Sequence, residues 1–211
     1  MTPLLSPALD AYIRDLIPAR APVLAEMEAY AADNDVPIVG PAVGTLLEVL
    51  ARSIGAARVF EMGSAIGYST AFFASAVGRG GHVVYTDGSP ANAEKARGYL
   101  GRMELDDRVA IKVGDAVASL DAATGYFDVI FIDVDKEGYP AALKAAAPRV
   151  RKGGYLIADN VLWSGKVVDA GVRDAATEGI RQFNRTLFSL QEYRSVIVPL
   201  RDGVAIARRE G

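Results

Sequence analysis

Cysteine is absent from the 211-residue sequence, and histidine occurs once, at His82. The first absence excludes disulfides, thiolate metal sites and cysteine nucleophiles. The second leaves no material for a multi-histidine metal site and makes a Ser-His-Asp triad a poor fit. No apolar run approaches the ~18 residues of a membrane-spanning helix. The opening stretch "MTPLLSPALDAYIRDLIPAR" is interrupted by Pro3, Pro7, Asp10 and Arg14, so it lacks a basic segment followed by an apolar core. Net charge is −3, from 23 basic and 26 acidic residues. There is no basic surplus to hold nucleic acid or an anionic membrane surface. A cytoplasmic protein that handles a small molecule is the expectation.

What is present is a regular alternation after residue 57. The segments 58–63, 82–87, 108–115, 127–133 and 153–159 read as short apolar strands. Helical patterns lie between and after them, over 68–78, 89–103, 116–124, about 137–147 and 176–190, with Ser89 as a helix cap ahead of Pro90. Two last strands, 193–200 and 203–209, flank the turn "RDG". Strands that alternate with helices and are apolar along nearly their whole length predict a mainly parallel sheet covered on both faces. The expected fold is α/β: a Rossmann-like, doubly wound, seven-stranded sheet ending in an antiparallel hairpin. Before it, helices over about 6–17, 20–33 and 41–54 form an N-terminal cap. No repeat or linker is evident, so one domain is expected, with residues 1–56 as cap and 57–211 as core.

In such sheets ligands bind at the carboxyl ends of the strands, near the switch in strand order. Asp87, Asp115, Asp133 and Asp159 each close an apolar strand, and Glu61 and Gly63 close the first. Any one of these aspartates could equally cap a helix or form a turn; four at one edge point to a shared crevice. The first loop, "EMGSAIGYS" (61–69), has glycines at 63 and 67 but alanine at 65. It therefore departs from the G-x-G-x-x-G dinucleotide fingerprint, and it lacks the lysine of a phosphate loop. Glu61 beside it would repel phosphates and attract a cation, as a sulfonium compound with an amino group is. Asp87, twenty residues past Gly67, suits the acidic residue that holds ribose hydroxyls. The "GDA" at 114–116 would then sit by the adenine.

With these segments in view, the chain resembles the class I S-adenosylmethionine-dependent O-methyltransferases of the cation-dependent kind, the catechol and caffeoyl-coenzyme A O-methyltransferase family. The resemblance runs through "VFEMGSAIGYS" (59–69), "VVYTDGSP" (83–90), "VGDA" (113–116), "FDVIFIDVDKEGY" (127–139), "GGYLIADNVLWSGKV" (153–167), "IRQFN" (180–184) and "VPLRDGVAIARR" (198–209). Ser64 stands where the family often has threonine.

The resemblance implies roles. Val39, Glu61, Gly63, Ser69, Asp87, Gly88, Asp115, Ala116, Asp133, Asp135 and Tyr139 would surround S-adenosylmethionine, whose product is S-adenosylhomocysteine. Asp133, Asp159 and Asn160 would ligate a divalent cation. Three oxygen donors, two of them charged, suit Mg²⁺ first, with Mn²⁺ or Ca²⁺ as alternatives. Lys136 would be the general base, and Lys136, Asn160 and Trp163 would meet a phenolic acceptor with two adjacent hydroxyls. Free lysine is a poor base at neutral pH, but nearby cations disfavour its charged form. Tyr139 and Trp163 also fit plain packing roles, and Ser69 a plain helix start. Members of this family are often homodimers, so the resemblance implies a homodimer here. A nicotinamide-dependent oxidoreductase would want a glycine at Ala65 and has no use for "DNVLWSGKV". A non-catalytic relative that keeps only cofactor binding would have lost a ligand or the lysine, and all four residues are present.

Overall fold

A computed structural model gives the structure of the protein and describes residues 6–211. Residues 1–5, which the expected cap of 1–56 includes, lie outside the described residues. Seven strands form one sheet: β1 (Arg58–Met62), β2 (His82–Asp87), β3 (Val109–Val113), β4 (Phe127–Ile132), β5 (Val150–Ala158), β6 (Tyr193–Val198) and β7 (Val204–Arg209). Their order is β3-β2-β1-β4-β5-β7-β6. The first five run parallel, and β7 is antiparallel to both β5 and β6. The α/β doubly wound sheet and its antiparallel C-terminal hairpin are as the sequence predicts. The strand order reverses between β1 and β4, which puts the crevice at their carboxyl ends.

Among the described residues eight α-helices accompany the sheet: α1 (Pro7–Leu16), α2 (Pro22–Asp33), α3 (Gly40–Ser53), α4 (Tyr68–Val77), α5 (Pro90–Arg102), α6 (Ala116–Ala122), α7 (Tyr139–Ala146) and α8 (Ala175–Ser189). Helices α2 to α8 divide between two apolar clusters. One joins Val59, Val83, Val129 and Phe131 to α2, α3, α4 and α5. The other joins Phe60, Met62, Ile130 and Ile132 to α6, α7 and α8. Successive strand residues thus point to opposite covered faces, which is why the central strands are apolar throughout. Each fully buried Phe or Ile contributes roughly 1.5–3 kcal/mol. The edge strand β3, by contrast, has no fully buried residue.

The N-terminal helices differ among themselves. Val43, Leu47 and Ala51 of α3 and Met27 and Ala31 of α2 belong to the first cluster. Helix α1 buries no side chain. Polar ties fasten α2 to the core: Arg102 binds Glu26 at 2.6 Å, and the Tyr68 hydroxyl donates to Glu28 at 2.6 Å.

Two boundaries depart from the sequence reading. β5 starts at Val150, three residues before the expected 153, and passes through Gly153 at φ +79° with a register shift against β4. Glycines that resemble a turn in sequence are here a bulge inside a strand. The helix expected from about 137 opens as a 3-10 turn, Lys136–Gly138, and becomes α-helical at Tyr139.

Candidate active site

A cleft of ≈ 1580 Å³ lies across the carboxyl ends of the parallel strands. Asp87, Asp115, Asp133 and Asp159 all stand on its wall, as do Val39, Gly63, Ser69, Gly88, Ala116, Asp135, Lys136, Asn160 and Trp163. Glu61 and Tyr139 are not among its lining residues.

The first loop is built by close backbone contacts. Gly63 sits at φ +83°, and a Cβ there would come within 2.3 Å of the Asp133 carbonyl oxygen. The close approach to the neighbouring strand end by itself requires this glycine. Asp87 holds the loop from the other side: Oδ2 accepts from Ala65 N (2.9 Å), while Oδ1 accepts from Ser89 N (2.8 Å) and Asn92 Nδ2 (3.1 Å). Asp115 caps α6 by accepting from Ala118 N at 2.7 Å. These aspartates are turn and cap formers that also face the cleft, so both sequence readings of them hold at once.

Glu61 lies beneath the loop with no exposed surface. Thr70 Oγ1 donates to its Oε2, whereas Oε1 has no partner at bonding distance. Burial pushes its carboxyl up to about 7, against the partial relief given by the nearby hydroxyls of Ser69, Thr70 and Ser64. A carboxylate so enclosed supports the loop from below. The sequence places it beside the loop as a charge; in the structure it lies beneath the loop, off the cleft wall.

The densest polar cluster is at the ends of β4 and β5. These strands pair in register, Ile132 with Ala158, and Asp159 N donates to Ile132 O at 3.1 Å. Asp133 and Asp159 are thereby neighbours. Lys136 Nζ donates to Asp133 Oδ1 (2.9 Å), Tyr139 Oη (3.0 Å) and Val134 O (3.3 Å), which occupies all three ammonium protons. Tyr139 is wholly buried; its hydroxyl donates to Asp159 O at 2.8 Å, and its ring packs edge-on against Phe183. Burial holds this phenol well above its ordinary range. Tyr139 thus positions Lys136 from behind the wall.

Asp159 is 1% exposed, and one of its oxygens accepts from Asn160 N at 2.9 Å. Burial and then the negative charge of Asp133 raise its carboxyl above the usual range. A buried carboxylate, Asp159, and a half-buried one, Asp133, that repel each other, with Asn160 next in the chain on the same cleft wall, are a donor set whose charge a hard divalent cation would neutralise. Among the described residues there is no cluster of three or more His, Cys, Asp or Glu side chains placed to hold a metal; here the third candidate donor is Asn160. Past Asn160 the backbone turns sharply, with positive φ at Asn160 (+55°), Trp163 (+46°) and Ser164 (+54°). Trp163 Nε1 is buried without a partner, and the Lys136 and Lys166 ammonium groups lie 5.8 and 5.3 Å from its ring.

A family model described as O-methyltransferase matches residues 19–210. The chain belongs to the S-adenosylmethionine-dependent O-methyltransferase family. It is 31% identical to a catechol O-methyltransferase of Niastella koreensis, over 95% of this chain and 96% of that protein. It is 35% identical to a catechol O-methyltransferase of Mycobacterium tuberculosis, over 77% of this chain and 75% of that one. Among solved structures, an O-methyltransferase from Bacillus cereus in complex with SAH superposes with a TM-score of 0.88 at 31% identity, covering 96% of this chain and 97% of that chain.

Two residues at this O-methyltransferase site escaped the sequence reading. Gly179 of α8 packs on the turn that carries Lys136: a Cβ there would lie 2.3 Å from Lys136 O. Arg201, in the β6–β7 turn, reaches the cleft wall and donates to Ile38 O at 2.9 Å. The contact spans 163 residues of sequence, and no local pattern marks it.

Proposed function

We propose that the protein transfers a methyl group from S-adenosylmethionine to one hydroxyl of a catechol-like acceptor, with Lys136 as general base and Asp133, Asp159 and Asn160 as ligands of a divalent cation, Mg²⁺ before Mn²⁺ or Ca²⁺. The observation that carries this reading is the cluster at the β4 and β5 ends. Two carboxylates, Asp159 buried and Asp133 half-buried, stand on adjacent strand ends, and a lysine bound to Asp133 lines the same cleft. The names of the similar proteins, catechol O-methyltransferases, support the acceptor class. The cleft exceeds the roughly 300–1,000 Å³ of a single small-ligand pocket, as a site for two substrates should.

When bound, the cation would supply Lewis acidity to two vicinal oxygens and lower the pKa of the attacking hydroxyl. Lys136 accepts the proton from that hydroxyl as the general base. The oxygen forms its bond to the methyl carbon while the carbon–sulfur bond breaks, its electron pair staying on sulfur, and S-adenosylhomocysteine results. Tyr139 and Asp133 hold the Lys136 side chain in place, and Asp87 with Gly63 fixes the loop under the donor. Positioning the two substrates supplies much of the rate.

The variant Lys136→Gln tests the base. It is expected to lower kcat by about 10²–10⁴-fold while calorimetry finds S-adenosylmethionine binding retained. A kcat close to wild type would remove Lys136 from the chemistry.

A further inference from the structure

Carboxylates dominate the cleft wall, and its cations among the described residues are Arg14, Lys136 and Arg201. Lys136 has no proton left to offer, since its three donors are taken within the cluster. Arg201 is different. Among the described residues it makes no ion pair, and one of its five N–H donors is used, on Ile38 O at 2.9 Å. That bond anchors the guanidinium against the Ile38–Gly40 segment, where a Cβ at Gly40 would lie 3.5 Å from its Nη1.

The placement of Arg201 decides which substrate it faces. Its turn is fastened to the loop after Asn160: Val161 N donates to Gly203 O (3.0 Å), Leu162 N to Asp202 O (2.9 Å), and Ser164 N to the Asp202 carboxylate. This loop carries Trp163 and begins at the proposed cation ligands, so Arg201 stands on the acceptor's side. The donor's own carboxylate would have a separate berth. Helix α4 begins at Gly67 without a side-chain cap, beside Ser69 on the cleft wall. Its free N–H groups are ready for an anion. Arg201 also sits at φ +51°, where a glycine would be less strained. A long side chain kept in that conformation points to a use for its head group.

We infer that Arg201 selects acceptors that carry a carboxylate, pairing its free guanidinium edge with that group while the catechol oxygens lie at Asp133, Asp159 and Asn160. The inference rests on the catechol reading above. It makes the substrate an acidic catechol, and the planar fork of arginine suits a carboxylate better than an ammonium would.

The test compares 3,4-dihydroxycinnamate and 3,4-dihydroxybenzoate with their methyl esters, using wild type, Arg201→Gln and Arg201→Lys with Mg²⁺ and S-adenosylmethionine. The quantity read is the ratio of kcat/KM for acid over ester. Comparing that ratio between variants cancels the intrinsic difference in phenol acidity and any loss of folded enzyme. Arg201→Gln should lower the ratio about tenfold or more, the weight of one charge-assisted hydrogen bond, and Arg201→Lys should fall between. An unchanged ratio overturns the inference. So does an unchanged ratio with a raised KM for S-adenosylmethionine, which would give Arg201 to the donor's carboxylate instead. Transfer to none of the four compounds by wild type overturns the catechol reading itself, and this inference with it.

Discussion

Glu61 shows what a single side chain does to this molecule's response to pH. Its ordinary value is 4.5, and burial raises it to about 7. Between those values the native state binds a proton that the unfolded chain has released, so stability falls as pH rises through the window. The full cost, on the order of 3 kcal/mol at about 1.4 kcal/mol per unit, is reached above pH 7. Glu61→Gln removes this dependence. Thermal or urea unfolding at pH 5 and pH 7.5 should show wild type losing stability relative to the variant as pH rises. A difference between the two proteins that stays constant with pH would show that Glu61 is ionised throughout. In sequence Glu61 looks like a charge offered to a ligand, because its local pattern is only a strand end before a glycine. That Thr70 encloses it from α4, and that no cleft surface reaches it, depends on tertiary packing.

At the scale of elements, the β4 and β5 ends were legible because a strand–helix–strand unit must bring the two strands side by side, and Asp133 and Asp159 close them. The strand-end aspartates were legible for the same reason. The turn under Lys136 was not. It is set by α8, whose Gly179 lets the helix backbone approach Lys136 O and Glu137. In the sequence this glycine is only a weak point in an amphipathic helix. Gly179→Ala should gain up to about 1 kcal/mol of helix propensity, yet a Cβ placed 2.3 Å from Lys136 O has to push the turn away. Misplacement of Lys136 by such a shift is expected to lower kcat by roughly 10–100-fold, with S-adenosylmethionine affinity changed less. Steady-state kinetics with calorimetry checks this; wild-type kcat in Gly179→Ala would mean that the turn yields without moving the lysine. The loop from Asn160 to Gly165 was also opaque, because runs of positive φ at non-glycine residues follow no propensity rule.

The whole molecule is a sheet with two covered faces and one edge left to chemistry. Periodicity and strand-end composition make that plan readable, since both faces must be apolar and the open edge polar. Contacts between distant segments complete the site without leaving a trace in sequence: Tyr68 to Glu28 across 40 residues, and Arg201 to Ile38 across 163. The acidic character of the cleft follows from the same plan, with carboxylates at four strand ends converging on one space of ≈ 1580 Å³. Such a space suits a cationic methyl donor and, on the proposed reading, a divalent ion beside it. The measurement that tests this most directly is transfer of labelled methyl from S-adenosylmethionine to a panel of catechols, with Mg²⁺ and with excess EDTA. The account predicts methylation with Mg²⁺, its loss in EDTA, and its return when excess Mg²⁺ is restored. Transfer at the same rate in EDTA would contradict it, leaving a methyltransferase whose paired aspartates serve some purpose other than holding a metal.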